Sequence, residues 1–324
     1  MSGSIGADSV KVAVRIRPLS YDEAQEDESL SVRQVGATPQ VVAGCDTTFT
    51  FDYVFGCDSQ QVDVYDTCVV PLVEAAFEGF NATILAYGQT GSGKTWTMGS
   101  SSDSRALEET QGIIPRVIRH LFAAIAERES EQDYPHATEA SAPFPSSSGP
   151  STPLVQFKIY VQFLEIYGEE IKDLLDNTHS SRVTIRETTG GDVYVCGAKE
   201  ELVHSPEQMM RALDEGSKFR ATAATRMNQA SSRSHAIFTV ILEQSLFPEG
   251  PAAESKVEAD EAASRGGESG GDSNDSDAPK PEVRKCKFHF VDLAGRYGPV
   301  RVRVRVRPEC VPTIPIIAIH YIRP

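Results

Sequence analysis

One glycine-rich stretch has the residue types and spacing needed to bind phosphate groups. It satisfies the pattern G-x-x-x-x-G-K-[ST] in full, with the residues Gly88, Gln89, Thr90, Gly91, Ser92, Gly93, Lys94 and Thr95. Glycines allow successive N–H groups to turn inward around phosphates, and the start of a following helix adds partial positive charge. Lys94 would lie between the β- and γ-phosphates of a nucleotide, and the Thr95 hydroxyl would bind Mg²⁺. The alternative is a glycine-rich turn with an incidental lysine, but the apolar run before the motif and the helical start after it favour phosphate binding.

A carboxylate at the end of a predicted core strand is the second candidate. Phe290-Val-Asp292 ends an apolar run with an acid, and an aspartate in this position can hold Mg²⁺ through a water molecule. Gly295 follows and could donate its N–H to the γ-phosphate. Many strands end in aspartate, so the pattern has little weight alone. Together with a complete phosphate loop it predicts that Asp292 binds the metal.

A polar cluster precedes another predicted strand. It runs Asn228-Gln-Ala-Ser231-Ser232-Arg233-Ser234-His235. From composition alone, the favoured interpretation is a serine-rich loop that caps a helix. The cluster therefore carries no functional assignment by itself.

The elements that would position these residues alternate between strands and helices. Apolar patterns predict strands over 10–16, 49–55, 82–87, 155–167, 235–243 and 287–292. Apolar residues at helical spacing predict helices over 64–77, 113–127, 169–175 and 206–224. The stretch 49–55 would place four aromatic residues on one face. This alternation indicates an α/β sheet wrapped by helices, with the phosphate loop directly after a buried strand.

Bulk properties narrow the class of protein. The 324 residues are enough for one large α/β domain or two small ones. No run of about 18 apolar residues occurs, which excludes a transmembrane helix. The first ten residues lack a basic stretch followed by an apolar one, so no secretory signal is predicted. Six cysteines are scattered without a C-x-x-C pair, which is typical of reduced cytosolic thiols rather than a metal site or a disulfide framework.

Two polar segments interrupt the pattern of strands and helices. Residues 129–153, rich in Ser, Pro, Ala and Glu, are predicted to be a surface insertion. Residues 246–282 carry ten Asp/Glu against three Lys/Arg and supply −7 of the net charge of −15. They are predicted to be a disordered loop inside the domain, and the alternative is a linker between two domains. Because the remainder is only mildly acidic, net charge does not exclude an acidic partner.

Several motifs resemble those of the kinesin motor domain family and occur in the family's order. They are Arg15-Ile-Arg17-Pro18, Phe51-Asp-Tyr-Val-Phe55 with Gln61 and Val64-Tyr65, Ala86-Tyr-Gly-Gln-Thr-Gly91, Phe163-Leu-Glu-Ile-Tyr167, the cluster Asn228 to His235, and Asp292-Leu-Ala-Gly295. The cluster resembles switch I and the last motif resembles the start of switch II. The resemblance covers roughly residues 8–295, apart from the two polar segments. The phosphate loop and the run Arg220 to Asn228 are most similar to the chromosome-associated or kinesin-4-like branch.

The resemblance implies a fold, an activity and a partner. The fold would be of the P-loop NTPase type, with a central, mostly parallel or mixed sheet flanked by helices. The activity would be that of a microtubule motor, which hydrolyses Mg-ATP by in-line attack of water on the γ-phosphate. Microtubules (tubulin) would be the partner, with no nucleic acid and no membrane. The expected location is the cytoplasm and the microtubule cytoskeleton.

The resemblance also assigns roles at the base end of the nucleotide. Arg15, Arg17 and Pro18 would border the adenine. Trp96 would stack on the base, although the only tryptophan of a chain is more often a core residue.

At the phosphate end, the resemblance implies a catalytic set of Lys94, Ser231, Ser232, Arg233 and Gly295. Ser231 and Ser232 would reach the γ-phosphate and the attacking water. Ser232 would join Thr95 and Asp292 around Mg²⁺.

The chain departs from the family pattern directly after Gly295. Kinesins continue with serine and glutamate, whereas this chain has Arg296 and Tyr297. In the family the glutamate pairs with the switch I arginine, here Arg233, and helps to close the site. We therefore expect hydrolysis to be impaired even if ATP binds.

Residues 296–324 are predicted to be an atypical tail that does not resemble the family. Arginines alternate with valines from Arg301 to Arg307, so one interpretation is a strand whose basic face binds microtubules or membranes. The favoured interpretation is a missed coding boundary, which leaves the C-terminal part of the motor fold, and most of the microtubule-binding surface, missing. The tail is expected to be too short to supply the missing helices, or the strand and helix needed to finish the sheet.

Two other functions stay open at this point. One is a non-motile fragment that occupies microtubules or other partners without turnover. The other is a different P-loop enzyme such as a GTPase, which the lack of an Asn-Lys-x-Asp motif disfavours. No heptad repeat predicts a coiled coil, and the sequence predicts neither direction of travel, cargo nor oligomeric state.

Overall fold

A central sheet with helices packed against it forms the structure. The structure is a computed structural model that describes residues 10–25, 32–44, 47–100, 107–133, 154–176, 183–189, 193–226, 233–247, 281–295 and 316–322. The strands are β1 (Lys11–Arg15), β2 (Val32–Gln34), β3 (Gln40–Ala43), β4 (Thr47–Thr50), β5 (Tyr53–Phe55), β6 (Asn81–Tyr87), β7 (Leu154–Tyr167), β8 (Glu170–Asp173), β9 (Thr184–Glu187), β10 (Val193–Cys196), β11 (Glu201–Val203), β12 (Ser234–Phe247), β13 (Glu282–Asp292) and β14 (Ile316–Ile322). The helices are α1 (Tyr21–Gln25), α2 (Gln61–Cys68), α3 (Val70–Phe77), α4 (Lys94–Met98), α5 (Ile113–Asp133) and α6 (Pro206–Arg226).

The central sheet is mixed, in the order β11-β7-β12-β13-β6-β14-β1-β5, with β8 paired to β7. Strands β13 and β6 run parallel, as do β1 and β5, whereas β12 is antiparallel to both β7 and β13. Strands β9–β10 and β2–β3–β4 form two separate small sheets. The expected mixed α/β fold with a central sheet and helices is confirmed.

The parallel pairing of β6 and β13 determines where the candidate residues meet. Asp292, the last residue of β13, lies opposite Ala86 near the end of β6. The phosphate loop begins directly after β6, at Gly88. Because the carboxyl ends of parallel strands share one edge of a sheet, both motifs lie at the same edge.

A buried aromatic core joins the sheet to the helices. Phe163, Phe238, Phe288 and Phe290 are each at most 2 % exposed. They belong to one apolar cluster that includes residues of α2, α3, α5 and α6. Helix α6 approaches β7 closely at Gly216, where an added Cβ would overlap Cδ1 of Phe163 and lie 2.9 Å from its Cε1. Only a glycine fits this contact without displacement of the ring.

The predicted helix over 64–77 is two helices. Helix α2 ends at Cys68 and α3 begins at Val70, with Pro71 in the first turn of α3. Because proline lacks an N–H donor, it is tolerated in the first turn of a helix but breaks a helix interior. The break therefore falls just before Pro71.

The predicted single strand over 49–55 is wrong. Residues of β4 belong to the small sheet β2–β3–β4, whereas β5 forms an edge of the central sheet. Between them, the Asp52 carboxylate accepts hydrogen bonds from the Val12 N–H at 2.8 Å and from Lys11 Nζ at 3.2 Å. The Asp52 side chain thus connects the segment between β4 and β5 to β1, at the point where the chain passes from the small sheet to the central sheet.

The predicted helix over 169–175 is also wrong. Gly168 has a φ of 60°, and the chain turns back so that Glu170 of β8 pairs with Tyr167 of β7. A two-residue connection with a left-handed glycine is typical of a tight hairpin. Pairing with the long strand β7 outweighs the local helical pattern.

The tail supplies a strand of the central sheet, contrary to the expectation from the sequence. Strand β14 is antiparallel to both neighbours, with Ala318 opposite Leu85 of β6 and opposite Val12 of β1. A strand requires only about five or six residues, so the apolar run at 316–322 is long enough to fill this position. The alternating arginines from Arg301 to Arg307 lie outside the described residues.

The remaining predicted elements agree with the structure, and most of each polar segment lies outside the described residues. Helix α5 continues to Asp133, past the predicted helix end at residue 127 and into the predicted insertion that begins at residue 129. The two ends of the acidic segment 246–282 are paired, because Leu246 of β12 lies opposite Glu282 of β13. None of the helices in the described ranges is long and apolar enough to cross a membrane.

Candidate functional site

The phosphate loop connects β6 to α4 with the geometry expected of its motif. Gly91 and Gly93 have φ values of 80° and 96°, a region that residues with a Cβ rarely adopt. Lys94 begins α4, and its Nζ donates to the carbonyl oxygens of Gly88 at 3.0 Å and of Gln89 at 2.8 Å. The loop backbone thus determines where the ammonium group lies.

Thr95 and Asp292 meet directly. The Thr95 hydroxyl donates a hydrogen bond of 2.7 Å to Oδ2 of Asp292. Within the described part of the chain, Oδ1 of Asp292 is buried and has no hydrogen-bond partner. A hydroxyl and a carboxylate are oxygen donors of the kind that Mg²⁺ prefers, and a buried carboxylate oxygen needs a partner. The two residues therefore fit a Mg²⁺ site.

The remaining metal candidate, Ser232, lies outside the described residues, as does Ser231. The described ranges contain no cluster of three or more His, Cys, Asp and Glu residues suited to a metal ion. A site with one carboxylate and two hydroxyls would not produce such a cluster. The roles of Ser231 and Ser232 stay predictions.

Arg220 is a site residue that sequence reasoning did not identify. Its side chain is 12 % exposed, with Nη1 3.6 Å from Oδ2 of Asp292 and Nε 3.5 Å from Oε1 of Glu165. Nη2 donates to the Ser234 carbonyl at 3.1 Å. Arg220 therefore joins α6 to three strands of the sheet at Asp292, the predicted metal ligand.

A signal for this buried ion pair was present in the sequence. Glu165 stands in the apolar run Phe163-Leu-Glu-Ile-Tyr167, and a carboxylate in a core strand requires a cationic partner. Nothing local shows which arginine supplies it, because Arg220 and Glu165 are brought together only by packing of α6 on β7.

The electrostatics around Lys94 follow from this arrangement. Burial lowers the pKa of Lys94, the Asp292 carboxylate opposes that shift, and Arg220 adds to it. Lys94 is 7 % exposed. The site thus brings together two cations, Lys94 and the largely buried Arg220, and two buried carboxylates, Asp292 and Glu165.

A cavity of about 480 Å³ lies over the loop. Its lining includes Thr90, Gly91, Gly93, Lys94, Thr95, Trp96, Arg220, Asp292 and Gly295. Gly295 approaches the loop so closely that an added Cβ would overlap the Thr90 hydroxyl and lie 2.9 Å from the Thr90 nitrogen. The phosphate loop and the start of the predicted switch II segment are therefore in direct contact.

A second cavity, of about 370 Å³, lies beside the first. It is lined by the predicted base-binding residues Arg15, Arg17, Pro18 and Trp96, together with Cys57, Ser92 and Gly93 among others. Within the described residues, the buried Ser92 hydroxyl has no hydrogen-bond partner. Gly93 and Trp96 line both cavities.

The two arginines of the second cavity bind within the protein. Arg15 is 9 % exposed, and its Nη1 donates to Oε1 of Gln61 at 2.7 Å and to the Thr97 hydroxyl at 3.0 Å. Burial lowers the pKa of Arg15, and Asp63 opposes the shift. Arg17 pairs with Glu23 at 2.7 Å. Arg15 thus braces α4 against α2, in addition to lining the cavity.

Trp96 is not a core residue. It is 52 % exposed and stands between the two cavities. Its position leaves the indole accessible to a ligand, and base stacking stays a prediction.

The end of the switch I cluster lies beside the start of switch II. Arg233 is exposed and Ser234 is buried. His235 accepts a hydrogen bond at Nδ1 from the Ala294 N–H at 3.0 Å. Arg296 and Tyr297 lie outside the described residues, so the expected loss of a partner for Arg233 stays a prediction.

Comparison with known proteins decides the family. The model of the kinesin motor domain matches residues 15–298. This chain belongs to the kinesin motor domain family. The match begins at the predicted base-binding residues and ends just beyond Gly295. This kinesin chain therefore carries both cavities inside the matched region.

Relatives of this kinesin chain are much longer proteins. It is 43 % identical over 293 residues to Kinesin-like protein KIF21B of Homo sapiens, covering 88 % of the chain and 16 % of that protein. It is 40 % identical over 287 residues to Kinesin-like protein KIF27 of Mus musculus, covering 88 % and 17 %. The chain thus spans about one-sixth of these relatives.

A solved structure of a fast kinesin, described for its ATPase mechanism and interactions with microtubules, has the same fold. It matches with a TM-score of 0.64 and 27 % identity, over 92 % of this chain and 69 % of that one.

Proposed function

We propose that this kinesin chain binds Mg-ATP and is the nucleotide-binding part of an ATP-driven microtubule motor. The observation that carries the proposal is the hydrogen bond between Thr95 and Asp292 beside the buried Lys94. It places a hydroxyl, a carboxylate and an ammonium group at one edge of the sheet, under a cavity that opens on the phosphate loop. These three groups suit the β- and γ-phosphates and the metal of a nucleotide.

The chemistry would be in-line displacement at phosphorus. A water oxygen would attack the γ-phosphorus, the bond to the β–γ bridging oxygen would break, and ADP would leave with its electron pair. One proton of the water would pass to solvent and the other would stay on the inorganic phosphate. Lys94 and the amides of the loop stabilise the negative charge of the transferred group, and Gly295 donates its N–H to the γ-phosphate. Ser231 and Ser232 orient the water. Mg²⁺, held at Thr95, Ser232 and Asp292, would supply charge neutralisation on the phosphate oxygens.

We further propose that hydrolysis by this chain is slow. Arg296 and Tyr297 stand where the family has serine and glutamate, and a phenol cannot pair with Arg233 as a carboxylate would. Arg296 also adds a positive charge directly after Gly295 in the sequence. None of Arg296, Tyr297 and Arg233 is among the predicted nucleotide-binding residues. We therefore expect the chain to bind ATP but to hydrolyse it slowly.

Microtubules are the proposed partner, in the cytoplasm and on the microtubule cytoskeleton. This proposal rests on membership of the kinesin motor domain family. It is not carried over from the relative KIF21B as a whole, because the chain spans only 16 % of that protein. A kinesin-4-like origin is the proposed subfamily, supported by the run Arg220 to Asn228 and by the Gly-Ser-Gly-Lys-Thr loop.

A second candidate function is a non-motile fragment that binds nucleotide or microtubules without turnover. The same two residues, Arg296 and Tyr297, favour it, because they remove the pair that closes the site.

Turnover of ATP by the purified chain, with and without microtubules, tests both candidates. A Lys94→Ala variant is the control, and thermal unfolding shows that it is folded. Turnover that rises with microtubules and is lost in Lys94→Ala would establish the motor and contradict slow hydrolysis. ATP binding without turnover would support the second candidate. Competition of bound ATP by GTP at equal affinity would instead favour a GTPase.

A further inference from the structure

Three contacts hold the backbone that follows β13. The Leu293 N–H donates to the Ala86 carbonyl at 3.1 Å, and Gly295 rests against Thr90 of the phosphate loop. Between them, the Ala294 N–H donates to Nδ1 of His235 at 3.0 Å. Of these three, only the contact of Ala294 involves a titratable side chain.

We propose that His235 is a positioning residue, which accepts the Ala294 N–H at Nδ1 and thereby holds Gly295 against the phosphate loop. The role rests on the proposed nucleotide site, because Gly295 lines the cavity over that loop. Ala294 makes the histidine contact, and the next residue, Gly295, is the one that approaches Thr90. Loss of the histidine contact would therefore release the backbone directly before Gly295.

The hydrogen bond determines the state of the imidazole. A backbone N–H can only donate, so Nδ1 must carry a lone pair and the proton must be on Nε2. A doubly protonated imidazole has no acceptor and cannot make this contact. His235 therefore holds Ala294 only in its neutral form.

The charges around His235 favour that neutral form. Burial is the main cause that lowers its pKa, and Arg220 of α6 lowers it further, while Asp292 of β13 opposes the shift. Glu165 of β7 faces Arg220 at 3.5 Å and partly balances its charge. At neutral pH the contact is intact, and acidification breaks it.

Two isosteric variants separate the role of Nδ1 from that of the ring. In His235→Asn the amide oxygen reaches the position of Nδ1 and can accept the same N–H. In His235→Gln the amide reaches the position of Nε2, so it does not replace the acceptor. Amide hydrogen exchange at Ala294, measured on the intact chain by mass spectrometry with electron-transfer fragmentation, reports the contact directly.

We expect His235→Gln and His235→Ala to speed exchange at Ala294 about fivefold, the effect of one neutral hydrogen bond. His235→Asn should retain the protection of the parent chain. Equal exchange in the Asn and Gln variants would overturn the proposal. Thermal unfolding of both variants controls for a general loss of packing.

The pH dependence gives an independent arm. As the pH is lowered from 7.5 to the lowest pH at which the chain stays folded, the exchange rate of the parent chain relative to His235→Asn should rise, because only the parent protonates at this position. Since the pKa of His235 is lowered, the rise is expected below pH 6.5. A constant ratio would contradict the proposal.

Addition of Mg-ATP separates this role from the function of the site. Slower exchange at Gly295 on addition is expected if the nucleotide reaches Gly295. No change at Gly295, with the Asn and Gln difference intact at Ala294, would leave the role of His235 standing and count against the proposed nucleotide site.

Discussion

The Thr95 hydroxyl donates a 2.7 Å hydrogen bond to Oδ2 of Asp292, although the two residues are 197 positions apart in the chain. This contact joins the phosphate loop to the strand β13. It exists because β6 and β13 are parallel neighbours, so that both motifs lie at their carboxyl ends. The pair therefore provides a direct test of the proposed metal site.

Replacement of Thr95 by alanine should weaken nucleotide binding about tenfold at saturating Mg²⁺, because a hydroxyl bonded to a charged group and to the metal is lost. Thr95→Ser is the matched control, since it keeps the oxygen and should bind within about twofold of the parent. The measurement is the nucleotide Kd over a series of Mg²⁺ concentrations. An unchanged Mg²⁺ dependence in Thr95→Ala would rule out Thr95 as a metal ligand.

Alkylation of Cys57 should be slowed severalfold by Mg-ATP. Cys57 is half-buried and lines the proposed base cavity, so a bound adenine would cover it. Cys196 on β10 is also half-buried but lies outside the lining of that cavity, so its rate should not change. Treatment with N-ethylmaleimide followed by peptide mass spectrometry gives both rates. Equal rates at Cys57 with and without nucleotide would place the base elsewhere.

The buried thiols provide a reference for the same experiment. Burial raises the pKa of Cys68 to about 12 and that of Cys286 to about 11. Because the thiolate is the nucleophile, these two residues should react more slowly than Cys57 and Cys196, the other two cysteines that the structure describes. Fast alkylation of either would show that the chain had unfolded during the assay.

Gly216→Ala should destabilise the fold by about 1–3 kcal/mol, as expected for overpacking of a well-packed core. The new methyl group would overlap the ring of Phe163, which is 1 % exposed and has little room to move. Alanine normally stabilises a helix relative to glycine, so a loss isolates the steric effect. Glu215→Ala, at the exposed neighbouring position, is the control. Urea unfolding gives the free energies, and a gain in stability in Gly216→Ala would contradict this packing of α6 on β7.

Acidification should destabilise the chain through His289. Burial lowers its pKa to about 4, and Nδ1 lies 3.0 Å from the Thr239 hydroxyl. The unfolded chain binds a proton near pH 6.5 whereas the folded chain does not, so stability is present above pH 6.5 and falls as the pH drops towards 4. By pH 5 the free energy of unfolding should have fallen by about 2 kcal/mol.

The variant His289→Asn isolates that effect, because it keeps a polar partner for Thr239 but does not titrate. The free energy of unfolding, measured from pH 7.5 to 5 for both proteins, should fall more steeply in the parent. Parallel curves would show that His289 does not control this part of the acid response.

The local parts of the site could be predicted from the sequence, and the parts made by packing could not. The phosphate loop and Asp292 are recognisable because each motif has a fixed spacing next to an apolar strand. Arg220 was missed because its partners, Glu165 and Asp292, come from distant strands. A helical pattern alone does not show which polar residue is turned inwards.

The errors in the fold have the same origin. The segment 169–175 has a helical pattern, yet Gly168 and the pairing of β8 with β7 determine its structure. The segment 316–322 stands in a tail that does not resemble the family, yet its seven residues suffice to pair with β6 and β1. Both elements depend on a neighbouring strand that local patterns do not reveal.

Trp96 gives the protein an intrinsic optical reporter. It is the sole tryptophan among the 324 residues, is 52 % exposed, and borders both cavities. Selective excitation of indole therefore yields emission from one position, without label or engineered fluorophore. Since the wavelength and intensity of indole emission depend on its contact with solvent, occupancy of either cavity can be followed in real time by the light this single side chain emits.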